Sequence, residues 1–193
     1  GDEGDHGRAA LDRARFAGDV AARGADLLAG RVAVGHTDGD IFVAFPAART
    51  VVAGDLYAWH MSPLIDPGSG GSILALPTTL TAAYYGIPGM DYVIQGHGNV
   101  STWGEFRSFM QFNRGLVAQA EQTLQAGGTP EQALEALERN PSFAIFLDHG
   151  IKQGLEYGGT PWARALINIR LAFQELRGEE PTLVMGIPDP HQH

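Results

Sequence analysis

Short apolar runs alternate with glycine-rich polar loops in the first half of the chain, whereas the second half repeats apolar residues at helical spacing. The runs at 31–34, 50–53 and 91–95 are rich in Val, Ala, Ile and Thr, and they predict three strands. Over 8–29 the apolar residues recur at roughly helical spacing, which predicts one helix or two short ones. The turn residues of 66–72 open onto a further predicted helix near 72–85.

Signals for helix starts recur after residue 101. Thr102 and Glu105 have the spacing of a capping box, and Thr129 and Thr160 each precede a proline, as an N-cap residue does. We therefore expect a single domain over 1–193. It would comprise an α/β portion over 1–100, a helical extension over 101–185 and a tail over 186–193.

Composition narrows the classes of function. The chain has 193 residues, 44% of them hydrophobic, which is enough for one domain with a real core. A formal net charge of −9 argues against nucleic acid or an anionic membrane as a partner. There is no cysteine, so thiolate metal sites and disulfides are excluded. No signal peptide is visible, and we leave the location open between cytoplasmic and periplasmic or secreted after signal removal.

The loops that follow the three apolar runs each carry a histidine or aspartate beside glycine. They are Gly35 to Asp40, Gly54 to Leu56 and Gly96 to Gly98. Strands that end in this way can aim His36, Asp55 and His97 at one point, and imidazole and carboxylate are ligands for zinc or iron. The alternative is that these are ordinary turn sequences in which Asp38 and Asp40 form Asx turns. The ordered trio predicts a metal-dependent hydrolase.

These motifs resemble those of the metallo-β-lactamase-fold hydrolase superfamily. The resemblance covers about residues 30 to 127, the second half of that fold and its trailing helix. It is carried by His36-Thr37-Asp38-Gly39-Asp40, Phe45-Pro46, Val52-Ala53-Gly54-Asp55-Leu56, Pro63-Leu64-Ile65-Asp66, Gly70-Gly71-Ser72 and Gly96-His97-Gly98. The fold implied is α/β, a four-layer αββα sandwich that is incomplete at its N-terminal half here and carries a helical C-terminal extension.

The resemblance implies a role for each member of the trio. His36 would bind a first metal, Asp55 would bridge two metals, and His97 would bind the second. The implied cofactor is zinc, two ions if the site is complete, with iron or manganese also suited to these ligands. The implied reaction is attack by hydroxide from the dinuclear site on a small-molecule ester, thioester, lactam or phosphoester. Asp38 and Asp40 are candidates for orienting the imidazoles. His60 is a candidate for facing the substrate, with a loop histidine packed beside Trp59 as the alternative. His149 is a candidate for a further site residue, with a histidine at a helix end as the alternative.

The family's first metal motif, His-x-His-x-Asp-His, has no full copy. Its nearest match is the segment 1–6, where Gly1 and Glu3 stand in place of the two histidines. In this register Asp5 and His6 would bind the second metal, and Asp5 would also orient the hydroxide as a catalytic residue. The alternative is that an acidic N-terminus contains Asp-His by chance.

Three interpretations follow from this departure. We expect a hydrolase, and we expect that this sequence omits segments of a longer natural protein. The second interpretation is a non-catalytic binding or scaffold protein that keeps the fold without the first metal motif. The third is one subunit of a split assembly, in which a completing chain or a second copy covers the open face and edge of the sheet.

Overall fold

The computed structural model describes residues 28–31, 34–57, 60–149 and 159–185. Residues 8–27 of the helix predicted over 8–29, the candidate ligands Asp5 and His6, and the predicted tail therefore lie outside the described residues. The strands are β1 Leu28–Arg31, β2 Ile41–Phe45, β3 Thr50–Gly54, β4 Tyr92–Gln95 and β5 Ser101–Thr102. The α-helices are α1 Leu76–Gly86, α2 Trp103–Gln125, α3 Pro130–Glu138 and α4 Pro161–Leu176, and 3-10 turns lie at Pro46–Ala48, Pro67–Ser69 and Pro141–Phe146.

The five strands form one sheet in the order β1-β2-β3-β4-β5. The neighbouring pairs are antiparallel except β3 and β4, which run parallel. In that pair Gly54 is the partner of Gln95, so the carboxyl ends of both strands lie at the same edge. This pairing brings the loop of Asp55 beside the loop of His97.

Alternating side chains give the sheet one buried and one exposed face. Phe42, Val51 and Val93 are fully buried and belong to the core that the helices complete. On the opposite face Ile41 is 52% and Tyr92 is 49% exposed. The described residues thus supply one β layer and one helical layer, whereas the predicted αββα sandwich has two of each.

The helical extension packs around α2, the longest helix. Phe106 of this helix contacts Phe42 of the sheet, with ring centroids 5.9 Å apart, and Phe112 stacks on Phe146 at 4.7 Å. The capping boxes predicted at Thr102 and Thr129 are present, and Thr160 caps α4. The mixed α/β class with a helical C-terminal part is confirmed. In the described part of the chain, no helix has the length and apolarity that a membrane crossing requires.

Two boundary predictions were wrong. Leu28 and Ala29, assigned from the sequence to a helix, lie in β1, where they pair with Ala44 and Val43 of β2. Of the strand predicted over 31–34, Arg31 lies in β1 and Val34 lies outside it, whereas 32–33 are outside the described residues. The helix expected from residue 72 begins at Leu76, after a turn over 72–75.

Candidate metal centre

The carboxylate of Asp55 lies between two imidazoles. His36 Nε2 is 3.8 Å from Asp55 Oδ2, and His97 Nε2 is 3.3 Å from Asp55 Oδ1. The exposed fraction of the side chain rises from 21% for His36 to 45% for Asp55 and 67% for His97. The three residues are thus brought together at the sheet edge where β3 and β4 end, in a cluster open to solvent on the His97 side.

These separations are compatible with ligands that share an ion. Two nitrogen or oxygen ligands about 2.1 Å from a tetrahedral zinc lie roughly 3.4 Å apart. Each imidazole of the trio faces a different oxygen of Asp55, at 3.3 and 3.8 Å. The spacing of the three side chains is therefore compatible with the ligand roles that the resemblance implies. Within the described ranges there is no ready-formed group of three His, Cys, Asp or Glu side chains around a single ion position.

The ring of His36 is held by a backbone carbonyl. Its Nδ1 forms a short hydrogen bond with Leu64 O. Because a carbonyl only accepts, Nδ1 carries the proton and the lone pair of Nε2 is left on the side of Asp55. A metal-binding histidine is commonly oriented by such a bond through its other nitrogen.

The loop that carries His36 is bound to the turn over 66–72. Asp66 N–H donates to His36 O at 2.9 Å, and Ser72 N–H donates to Gly35 O at 3.0 Å. A Cβ at Gly71 would lie 2.2 Å from His36 O, so only glycine permits this approach. The hydroxyl of Ser69 donates to the carboxylate of Asp66 and lowers the pKa of that group.

Asp40 holds the same loop from within. Its carboxylate accepts from Thr37 N–H at 3.2 Å and from the Thr37 hydroxyl at 2.9 Å. The prediction that Asp40 orients an imidazole is therefore replaced by a role in holding the backbone next to His36.

Glycine also permits the contact between the second and third loops. Gly96 N–H donates to Gly54 O at 2.8 Å. A Cβ at Gly96 would lie 2.0 Å from Asp55 Oδ1, closer than any real contact. Glycine at position 96 is thus required by the position of the Asp55 carboxylate.

The other histidines considered in the sequence have different surroundings. His60 is half-buried with a left-handed backbone at φ 62°, and burial lowers its pKa. His149 lies 3.5 Å from Glu138 Oε1, and its ring centroid is 5.4 Å from that of Trp162. His149 also borders a cleft of about 380 Å³ with Glu138, Leu147 and Asp148.

Sequence reasoning missed the groups that support the trio. The carbonyl of Leu64 has no sequence signature, because every residue has one. The carboxylate of Glu175, near the end of α4, accepts from the Ser72 hydroxyl at 2.5 Å and from Ile73 N–H at 2.9 Å. A glutamate more than a hundred positions away gives no local signal of this contact.

Comparison with known proteins finds similarity to solved structures only. No family model and no curated protein matches the sequence. Among the similar structures is the metallo-β-lactamase FIM-1 from Pseudomonas aeruginosa in its mono-zinc form, with 20% identity over 46% of this chain and 39% of that chain, at a TM-score of 0.40. VMB-1 is 18% identical over 46% of this chain and 40% of the VMB-1 chain, at a TM-score of 0.38. TMB-1 is 17% identical over 49% of this chain and 47% of the TMB-1 chain, at a TM-score of 0.41. The chain thus spans less than half the length of each of these proteins, the first of which carries the name of the family that the sequence motifs resemble.

Proposed function

We propose that the chain is a metal-dependent hydrolase of the metallo-β-lactamase superfamily whose ions are held by His36, Asp55 and His97. The observation that carries the proposal is the position of the Asp55 carboxylate, with one imidazole Nε2 facing each of its oxygens at 3.8 and 3.3 Å. Zinc is the proposed metal, and iron or manganese also suits this donor set.

Each residue has a distinct task in this proposal. Asp55 would be shared by the two ions, His36 would hold the first ion and His97 the second. Asp5 and His6 would complete the second site, and Asp5 would orient the attacking water. The limited exposure of His36 and the wide exposure of His97 leave the substrate side of the centre beside His97.

The bound ions would supply Lewis acidity and lower the pKa of a coordinated water. The protein side chains then have to keep the ligands deprotonated and correctly aimed. His36 Nδ1 donates to Leu64 O, which leaves Nε2 as the nitrogen that faces Asp55. The proposed substrate is a small molecule with an ester, thioester, lactam or phosphoester bond.

A second candidate function is a metal-binding or scaffold protein without hydrolytic activity. The observation that favours it is that the trio supplies only two imidazoles and one shared carboxylate. A catalytic zinc usually has three protein ligands. No three-residue group for one ion occurs in the described part of the chain.

Zinc binding to the 193-residue chain tests the proposal. After removal of bound metal with a chelator, zinc is titrated by calorimetry and the stoichiometry is measured by elemental analysis. Asp55→Asn keeps the shape of the side chain and removes its charge, so we expect zinc affinity to fall at least about tenfold, or about 1.4 kcal/mol. His36→Gln and His97→Gln should each reduce the stoichiometry or the affinity.

His149→Gln is the matched control, because it removes an imidazole that lies beside Glu138 and Trp162. Its zinc affinity should equal that of the wild type. Equal affinity for the wild type and all three variants of the trio would contradict the proposal. A panel of ester, thioester, lactam and phosphodiester substrates separates the two functions, since zinc binding without hydrolysis supports the second candidate.

A further inference from the structure

Three fully buried polar side chains converge on the loop that contains Leu64. They are Ser62 in the loop itself, Asn113 on α2 and Asn168 on α4. Asn168 Nδ2 donates to Ser62 Oγ at 2.6 Å and to Pro63 O at 2.8 Å. The Ser62 hydroxyl donates to Asn113 Oδ1 at 2.6 Å. Side chains from two helices thus bind two successive residues of this loop.

The orientation of the network is set at its far end. Asn113 Nδ2 donates to Phe109 O at 2.9 Å, one turn earlier on α2. This bond identifies the nitrogen of that amide, so Oδ1 is the atom that faces Ser62. The hydroxyl proton of Ser62 must then point to Asn113, and its lone pairs receive the amide of Asn168. Every bond in the chain of contacts has one assigned direction.

Buried asparagines inside helices need a reason. Asparagine is a weak helix former, and a buried amide is unfavourable unless it is hydrogen-bonded. Both Asn113 and Asn168 lie in helix interiors surrounded by apolar residues, and both direct amide atoms to the same loop. Apolar residues would fill these positions equally well if packing alone were required.

The loop passes directly from this network to His36. Asn168 binds the carbonyl of Pro63, and the next carbonyl, that of Leu64, binds His36 Nδ1. Two consecutive carbonyls are therefore held, one by α4 and one by the imidazole. The ring of Pro63 also fixes its φ, which restricts the backbone just before the first of them.

We propose that Ser62, Asn113 and Asn168 are positioning residues for His36. By holding Pro63 and Leu64 in place, they fix the Nδ1–H tautomer of His36 and the direction of its Nε2. The helical extension thereby acts on a candidate metal ligand through the loop that contains Pro63 and Leu64. The effect on the tautomer is independent of metal, whereas the effect on metal affinity rests on the proposed function.

The tautomer of His36 is measured by two-dimensional ¹⁵N–¹H NMR of the imidazole ring, without metal, at pH 8, where an ordinary histidine is neutral. We expect the Nδ1–H form in the wild type and a mixture with the Nε2–H form in Asn168→Leu. Zinc affinity should fall roughly tenfold in this variant, as on removal of a group that orients a metal ligand. Ser62→Ala leaves the bond from Asn168 to Pro63 O in place and should give a smaller change of the same kind.

Thr160→Ala is the matched control, because it removes the N-cap of α4 and leaves the contacts of Asn168 in place. It should lower stability without changing the tautomer. An unchanged tautomer in Asn168→Leu, or an equal change in Thr160→Ala, would overturn the proposal. If Asn168→Leu does not fold, the comparison of Ser62→Ala with Thr160→Ala decides. A changed tautomer together with a wild type that binds no zinc supports the positioning role and contradicts the proposed function.

Discussion

The carboxylate of Asp55 can meet two histidines because the residues around it leave room. Gly96, the first residue of the third loop, lies against the second loop. A methyl group there would overlap Asp55 Oδ1. His36 depends in turn on a backbone carbonyl for its tautomer. At this scale the candidate centre therefore needs small residues and backbone groups as much as it needs its ligands.

Gly96→Ala tests that dependence. The added Cβ would lie 2.0 Å from Asp55 Oδ1, so the carboxylate must leave the position in which it faces His97. We expect zinc affinity to fall at least about tenfold, or about 1.4 kcal/mol, in a calorimetric titration. Gly104→Ala is the control, since its Cβ would lie 3.8 Å from Thr102 Oγ1 in ordinary contact. Equal zinc affinity in the two variants would contradict this account of Gly96.

Single residues differ in how well the sequence predicts their place in the candidate centre. His36, Asp55 and His97 are predicted because each stands beside glycine after an apolar run. Their assignment as ligands stays a prediction, although their proximity is a property of the structure. Asn113 and Asn168 are visible only as polar residues in apolar helices, and their common target depends on how the helices pack.

The arrangement of elements explains why the candidate centre lies where it does. Parallel pairing of β3 with β4 places two strand ends at one edge, and the turn over 66–72 supports the first loop. That turn is held from the other side by α4, through the carboxylate of Glu175. The helical extension is therefore bound to the α/β portion by polar contacts as well as by its apolar core.

Glu175→Ala should destabilise this junction. The change leaves Ile73 N–H and the Ser72 hydroxyl without their acceptor in a partly buried site. We expect the free energy of unfolding to fall by about 2 kcal/mol, since hydrogen bonds to charged groups contribute about 1.5 to 3 kcal/mol. Urea denaturation measures the change.

Glu179→Ala is the control for this prediction. Glu179 lies 4.0 Å from Arg177 in an exposed ion pair, for which a change within about 0.5 kcal/mol is typical. A loss in Glu175→Ala no larger than the loss in Glu179→Ala would show that the junction does not depend on the carboxylate.

At the scale of the whole molecule, net charge affects metal binding, and metal binding affects the stability of the folded state. The chain carries a net charge of −9, which favours attraction of cations at low ionic strength. A ligand that binds the folded state and not the unfolded chain raises the melting temperature. Zinc bound at the sheet edge would stabilise the pairing of β3 with β4 and the loop of His36 together.

Zinc at about one hundred times its dissociation constant adds about 2.7 kcal/mol of stability. For a chain of this size that corresponds to a rise in melting temperature of roughly 5 to 10 °C. We expect this rise in a thermal scan of the wild type, its reversal by a chelator, and a much smaller rise in Asp55→Asn. An equal rise in both proteins would place the bound zinc elsewhere.

The sequence alone determined the local features of this protein. Capping boxes, helix starts, strand-forming runs and glycine-flanked loops follow from short-range chemistry, so they are readable from neighbouring residues. The tertiary structure decided which distant groups meet. Strand pairing places Leu28 and Ala29 in β1, where the sequence predicted the end of a helix. The tertiary structure also places Asp55 between two imidazoles. Asn113, Asn168 and Glu175 bind loops that are far from them in sequence. These contacts arise from strand pairing and helix packing over long sequence separations. The loop pattern predicted that the trio converges, whereas no local pattern encodes the contacts of Asn113, Asn168 and Glu175.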